Sequence, residues 1–184
     1  MRTLKPAILL PLLSAIVIAV MAFASRENSR ADDRSQMITD WERAKAYTKE
    51  YLDASNDDVI NFKPTPEMRT FGQQMLHLAE GNYGLSSAAA GKQSPVKFGS
   101  LEKSDQHKTK EAVTKAVMES YDYVIATVKE MDDQKMNATV KIFNFEMSGQ
   151  VALNKTFEHQ THHRGQTTVY LRLKGVTPPQ EKLF

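Results

Sequence analysis

The stretch VTKAVMESYDYVIATVKEM, residues 113–131, decides how the chain is built. Val113, Val117, Tyr121, Val124, Val128 and Met131 recur at intervals of three and four, the spacing of one helical face. The spacing predicts a helix from about Asp105 to Met131, closed by Asp132-Asp133. The same period appears on both sides. Upstream, Met37, Trp41, Ala44, Thr48 and Tyr51, with Ile38 and Leu52 beside them, predict a helix from Ser35 to near Ala54, before Asn56-Asp57-Asp58. Thr65-Pro66-Glu67 has the form of a helix start, with a hydroxyl cap, a first-position proline and an acid in the first turn. Met68, Phe71, Met75, Leu78 and Leu85 form that helix's stripe, and Gly91, Ser94 and Pro95 mark a long loop.

Downstream, residues 137–146 are rich in β-branched and aromatic side chains (Val140, Ile142, Phe143, Phe145) and read as an extended connector with strand character. Ser148 can cap a last helix that runs to Lys174. Gly175 then supplies the residue past its end, and Pro178-Pro179 prevents continuation. Four amphipathic helices in about 150 residues make an all-α four-helix bundle the economical architecture. The loops are unequal, so it is not a minimal up-down design. There is no internal repeat.

The N-terminus reads differently. Arg2 and Lys5 precede an apolar stretch from Ala7 to Val20, broken only by Pro11 and Ser14. Ala22-Phe23-Ala24 then offers small residues around a cleavage point, followed by polar Ser25-Arg26-Glu27. These are the three parts of a secretory signal. The organisation expected is a signal peptide at 1–24, with an uncleaved anchor as the rival reading, a linker at 25–34, the bundle at 35–180 and a tail at 181–184. The body would then be periplasmic or secreted.

Composition bounds the chemistry. The 184 residues contain no cysteine, which excludes disulfides, a cysteine nucleophile and thiolate-bound metal. The 24 basic and 22 acidic residues become 22 and 22 once the first 24 residues are removed. A neutral body carries no electrostatic footprint for nucleic acid.

The histidines are the remaining chemical signal. Three of five fall in Glu158-His159-Gln160-Thr161-His162-His163-Arg164-Gly165-Gln166. His159 and His163 are four apart, one turn on the same helical face, and can reach a single metal ion. They share a stripe with Ala152, Gln166, Tyr170 and Leu173, where a bundle normally places apolar groups. An imidazole buried there needs a partner, and a metal is one. His162, on the edge of that stripe, competes with His163. A third ligand must come from another helix. His77 is the candidate, although it lies off the main stripe, on a side shared with Gln73, Gly81 and Gly84. His107, among Lys and Asp, is expected to be solvated. Glu80 is either an acid that orients an imidazole or a surface residue. Gly165 is expected to serve helix–helix packing, and Gln166 and Tyr170 to line a pocket.

His159-x-x-His162-His163-Arg164-Gly165-Gln166, followed by Tyr170-Leu171-Arg172-Leu173-Lys174-Gly175-Val176 and Pro178-Pro179, closely resembles the C-terminal signature of the DinB family of metal-binding helical bundles. Phe71-Gly72-x-x-Met75-Leu76-His77-Leu78-Ala79 resembles the family's second-helix motif. The resemblance spans roughly residues 37–180. It implies a four-helix bundle with a divalent metal held by His77, His159 and His163, and an open coordination position for water or substrate. Three imidazoles suit zinc or nickel, and also iron or copper. A three-histidine site with a bound water could hydrolyse a small-molecule substrate, whereas the family's relatives look like thiol-dependent transferases and are often homodimers. The alternative is a non-catalytic stress protein that holds a metal or small ligand. An export signal departs from the better-known cytoplasmic relatives.

Overall fold

The computed structural model describes residues 33–184. The expected signal peptide and almost all of the expected linker lie outside the described residues. Two units are delimited, Met1–Met37 and Ile38–Phe184. Of the first, residues 33–37 are described and are helical. The second holds the bundle.

The described part is predominantly helical. Four long helices are α1 (residues 33–54), α3 (Phe71–Ala89), α4 (Lys110–Glu130) and α6 (Gly149–Leu173). Two short ones, α2 (Asp57–Ile60) and α5 (Asp133–Asn137), lie in the connections. Strands β1 (Thr139–Ile142) and β2 (Phe145–Ser148) pair antiparallel, with Ile142 opposite Phe145. α3 packs on both α4 and α6. α1 meets the same two helices from the other side: the Trp41 ring stands edge-on to Tyr121 of α4 at 5.8 Å and to Phe157 of α6 at 5.2 Å. The four long helices therefore close into a bundle.

The stripe read on α4 is the core. Val113, Val117, Tyr121, Val124, Val128 and Met131 are all buried, with Trp41, Phe71, Met75, Leu153 and Tyr170 around them. A polar chain crosses this core. Thr48 Oγ1 lies 2.6 Å from the Tyr121 hydroxyl, which donates to Gln160 Oε1 at 2.8 Å. Arg164 Nη1 donates to the same oxygen at 2.9 Å, and its guanidinium lies over the Tyr47 ring. Burial pushes the Tyr121 hydroxyl up to about 12, so it stays a donor.

Several boundaries differ from the sequence reading. Thr65-Pro66-Glu67 closes a single turn, with Met68 N–H on Thr65 C=O at 3.2 Å, and starts no helix. α3 begins five residues later than that proline suggests, because Thr70 and Gln73 form a reciprocal capping box that satisfies two otherwise orphaned N–H groups. α4 begins at Lys110 and not near Asp105, since Thr109 supplies the cap by accepting from Ala112 N–H. Asp132 caps α5. The connector is a hairpin whose turn places Phe143 at φ 55°. Ser148 caps α6 as expected, and Gly175 takes the left-handed φ of 72° that ends it. Leu173 is 59% exposed and outside the core, at the very end of α6.

Candidate metal centre

α3 and α6 bring three imidazoles together. His77 comes from the middle of α3, and His159 and His163 from successive turns of α6. One nitrogen from each lies within 4.8 Å of the others. Ring centroids are 5.4 Å apart for His77 and His159, 4.6 Å for His77 and His163, and 4.4 Å for His159 and His163. The approach depends on Gly81. A Cβ there would lie 2.2 Å from His159 Cε1 and 2.4 Å from its Nδ1, closer than any side chain permits. The small-residue side of α3 is therefore a working face, and His77 belongs to it.

The cluster is electrically unusual for histidine. Burial, reinforced by the neighbouring imidazoles and Arg69, lowers His159 to about 4 and His163 to about 3. Burial, then Arg69, also lowers His77, against the pull of Glu102. All three are neutral at pH 7, the form in which imidazole offers a lone pair to a metal. Nδ1 of His159 and Nδ1 of His163 are buried with no hydrogen-bond partner among the described residues. Orphaned buried nitrogens on neutral, mutually close rings fit a divalent cation of borderline softness.

Around His77 the polar partners come from loop and helix. Its Nδ1 lies 3.0 Å from Glu102 Oε2. Arg69 Nε donates to the same oxygen at 3.0 Å. Arg69 Nη2 also lies 3.4 Å from His77 Nδ1, but the carboxylate is the nearer neighbour, and a proton on Nδ1 directed at it leaves the lone pair on Nε2. Glu102 was not visible in the sequence, because it lies in the α3–α4 loop, where no period marks it. Glu80 is neither of the things expected of it. It is 1% exposed, and its carboxylate accepts backbone N–H groups from Gly99 at 2.8 Å, Leu101 at 2.6 Å and Glu102 at 3.2 Å.

The other singled-out residues divide. His162 is exposed and outside the triad. Its Nε2 lies 2.8 Å from Gln166 Nε2, and its ring stands edge-on to His163. His107 is half-buried in the loop before α4 and joins no metal-competent group among the described residues. Gly165 is exposed, and a Cβ there would meet nothing within 4 Å, so it serves no packing contact. Gln166 and Tyr170 do line a cavity, of about 790 Å³, together with Arg69, Gln74 and Glu102. Arg69 and Glu102 are also the residues against His77, so this cavity adjoins the histidine cluster.

A family model described as the DinB family matches residues 26–183. Among solved structures, a DinB-like protein from Bacillus cereus is similar with a TM-score of 0.67 and 20% identity, over 79% of this chain and 95% of that one. A DinB-like protein from Bacillus subtilis gives 0.61 and 15%, over 81% and 96%. A conserved protein from Enterococcus faecalis gives 0.55 and 16%, over 76% and 95%. These likenesses show the fold. No curated protein matches the chain.

Proposed function

This chain belongs to the DinB family, and from that premise we propose that His77, His159 and His163 hold one divalent cation, zinc or nickel by the donor set, with iron or copper as the competitors. The observation that carries this reading is the set of three neutral imidazoles, His163 buried and His77 and His159 half-buried, with nitrogens within 4.8 Å of one another. Such a cation would act as a Lewis acid toward a small-molecule substrate in a hydrolase or transferase reaction. The chain's own residues would do the rest. Glu102 orients His77, and Arg69 and Gln166 present hydrogen-bonding groups to a substrate in the adjoining cavity, with the Tyr170 hydroxyl holding the Arg69 carbonyl beside them. That cavity gives space for a small molecule, which a protein holding a metal alone does not need, and it serves a substrate or a held ligand equally. The N-terminal pattern supports a periplasmic or secreted location, which the molecular mass of the protein recovered from the extracellular or periplasmic fraction would test.

The experiment is metal content by mass spectrometry of the purified protein beside a His159→Ala/His163→Ala variant. The expected result is about one equivalent of metal in the parent and none in the variant. No metal in either, after incubation with zinc and with nickel, would sink the ligand assignment.

A further inference from the structure

The stripe Gln73, His77, Glu80 and Gly84 runs along one side of α3, and the loop between α3 and α4 lies on it. Three contacts seat that loop. Phe98 fills the space left by Gly84, where a Cβ would lie 2.5 Å from its Cε2. Gln73 Nε2 reaches Glu102 C=O at 3.4 Å. Between them, the Glu80 carboxylate gathers the N–H groups of Gly99, Leu101 and Glu102 itself. A carboxylate with 1% exposure needs compensation, and it is compensated by main chain rather than by a cation. His77, Glu80 and Glu102 also place one potential ligand atom each within 4.8 Å. Both Glu80 oxygens are already committed to the loop, however, so this second cluster reads as a relay and not as a second metal site.

We infer that Glu80 is a positioning residue for the metal centre: it anchors residues 99–102 and through them holds the Glu102 carboxylate against His77 Nδ1. The inference rests on the reading of His77 as a ligand. Its logic is that of any carboxylate behind a ligating imidazole, extended by one step. Glu102 fixes the tautomer and the ring, and Glu80 fixes Glu102. The consequence is a dependence that simple structural support would not produce. Glu80 should matter to the metal only while Glu102 is present.

The test is a double-mutant cycle on the full chain, read by zinc competition with a chromophoric chelator and by ¹⁵N NMR of the His77 ring in metal-free protein. Glu80→Gln and Glu102→Gln should each weaken zinc binding about 10- to 100-fold. The double variant should bind no more weakly than Glu102→Gln alone. Both single variants should shift the His77 ring away from the Nδ1–H tautomer, with helical circular dichroism retained. Parental affinity in Glu80→Gln, additive losses in the double variant, or an unchanged His77 tautomer would overturn the inference. Should Glu80→Gln fail to fold, Glu80→Asp decides. It keeps the charge but shortens the reach, and parental affinity with a parental tautomer would leave Glu80 a role in the fold alone. If the parent takes up no zinc, the metal reading fails, and the tautomer of the metal-free ring still decides the role of Glu80.

Discussion

A Cβ on Gly81 would stand 2.2 Å from Cε1 of His159. Two helices can bring their imidazoles together here only because one of them has no side chain at the crossing. Gly165, a mid-helix glycine of α6 two residues past His163, has open space around it. The pair makes a controlled comparison. Gly81→Ala should displace the His159 ring and reduce zinc affinity by at least tenfold. Gly165→Ala should leave zinc binding unchanged and stabilise the protein by about 1 kcal/mol, the helix-propensity gain at an exposed site. Chelator competition and urea denaturation check the two arms. A Gly81→Ala protein that binds zinc normally would show that the crossing tolerates what the geometry forbids.

The contrast between those glycines also shows what could be read from the sequence. The α4 stripe and the His159–His163 spacing were legible because both follow the period of a single helix. The α4 stripe and His163 are buried and His159 half-buried, as the periodic reading requires, whereas Leu173 is exposed at the end of α6. His77 was legible only as an off-stripe residue among small and polar neighbours. That side of α3 faces a loop and a second helix, so its pattern is not hydrophobic. Glu102 and the backbone role of Glu80 were beyond reach. They depend on how residues 97–104 fold onto α3, which no local period encodes. The start of α3 was misplaced because Pro66 imitates a first helical residue, whereas the capping box at Thr70 is the stronger signal.

Acid should destabilise the metal-free protein. His159 and His163 titrate near 4 and 3 in the folded state and near 6.5 when unfolded. Between those values the unfolded chain binds the additional protons, so folding stability is fully present above about pH 6.5 and falls as pH drops toward the folded values. Trp41, the only tryptophan and fully buried, reports unfolding by fluorescence. The urea midpoint should fall from pH 7.5 to pH 5, and the slope should flatten in His159→Ala/His163→Ala. An equal slope in the variant would place the acid sensitivity elsewhere.

The Tyr121 hydroxyl joins Thr48 to Gln160 across three helices. Tyr121→Phe removes the donor to Gln160 and leaves the Thr48 hydroxyl without that partner, at full burial. Arg164 still donates to Gln160, so the cost should be about 1–3 kcal/mol rather than a loss of fold. The urea midpoint reads this directly. Zinc affinity should be unchanged, because none of the hydrogen bonds in this chain is made to an imidazole of the triad.

Metal should stabilise the fold by mass action. A cation that binds the folded triad and not the unfolded chain adds about 2.7 kcal/mol at a hundredfold its dissociation constant. Three ligands from two helices make this stabilisation depend on the tertiary arrangement, since His159 and His163 alone form only a two-donor site within α6. Zinc should therefore raise the melting temperature of the parent, and His77→Ala should abolish most of that rise although both α6 histidines remain. His162→Ala, by contrast, removes an exposed ring outside the triad and should keep the full effect. A zinc-induced rise that survives His77→Ala and disappears in His162→Ala would move the site onto the face of α6 alone and exclude α3 from it.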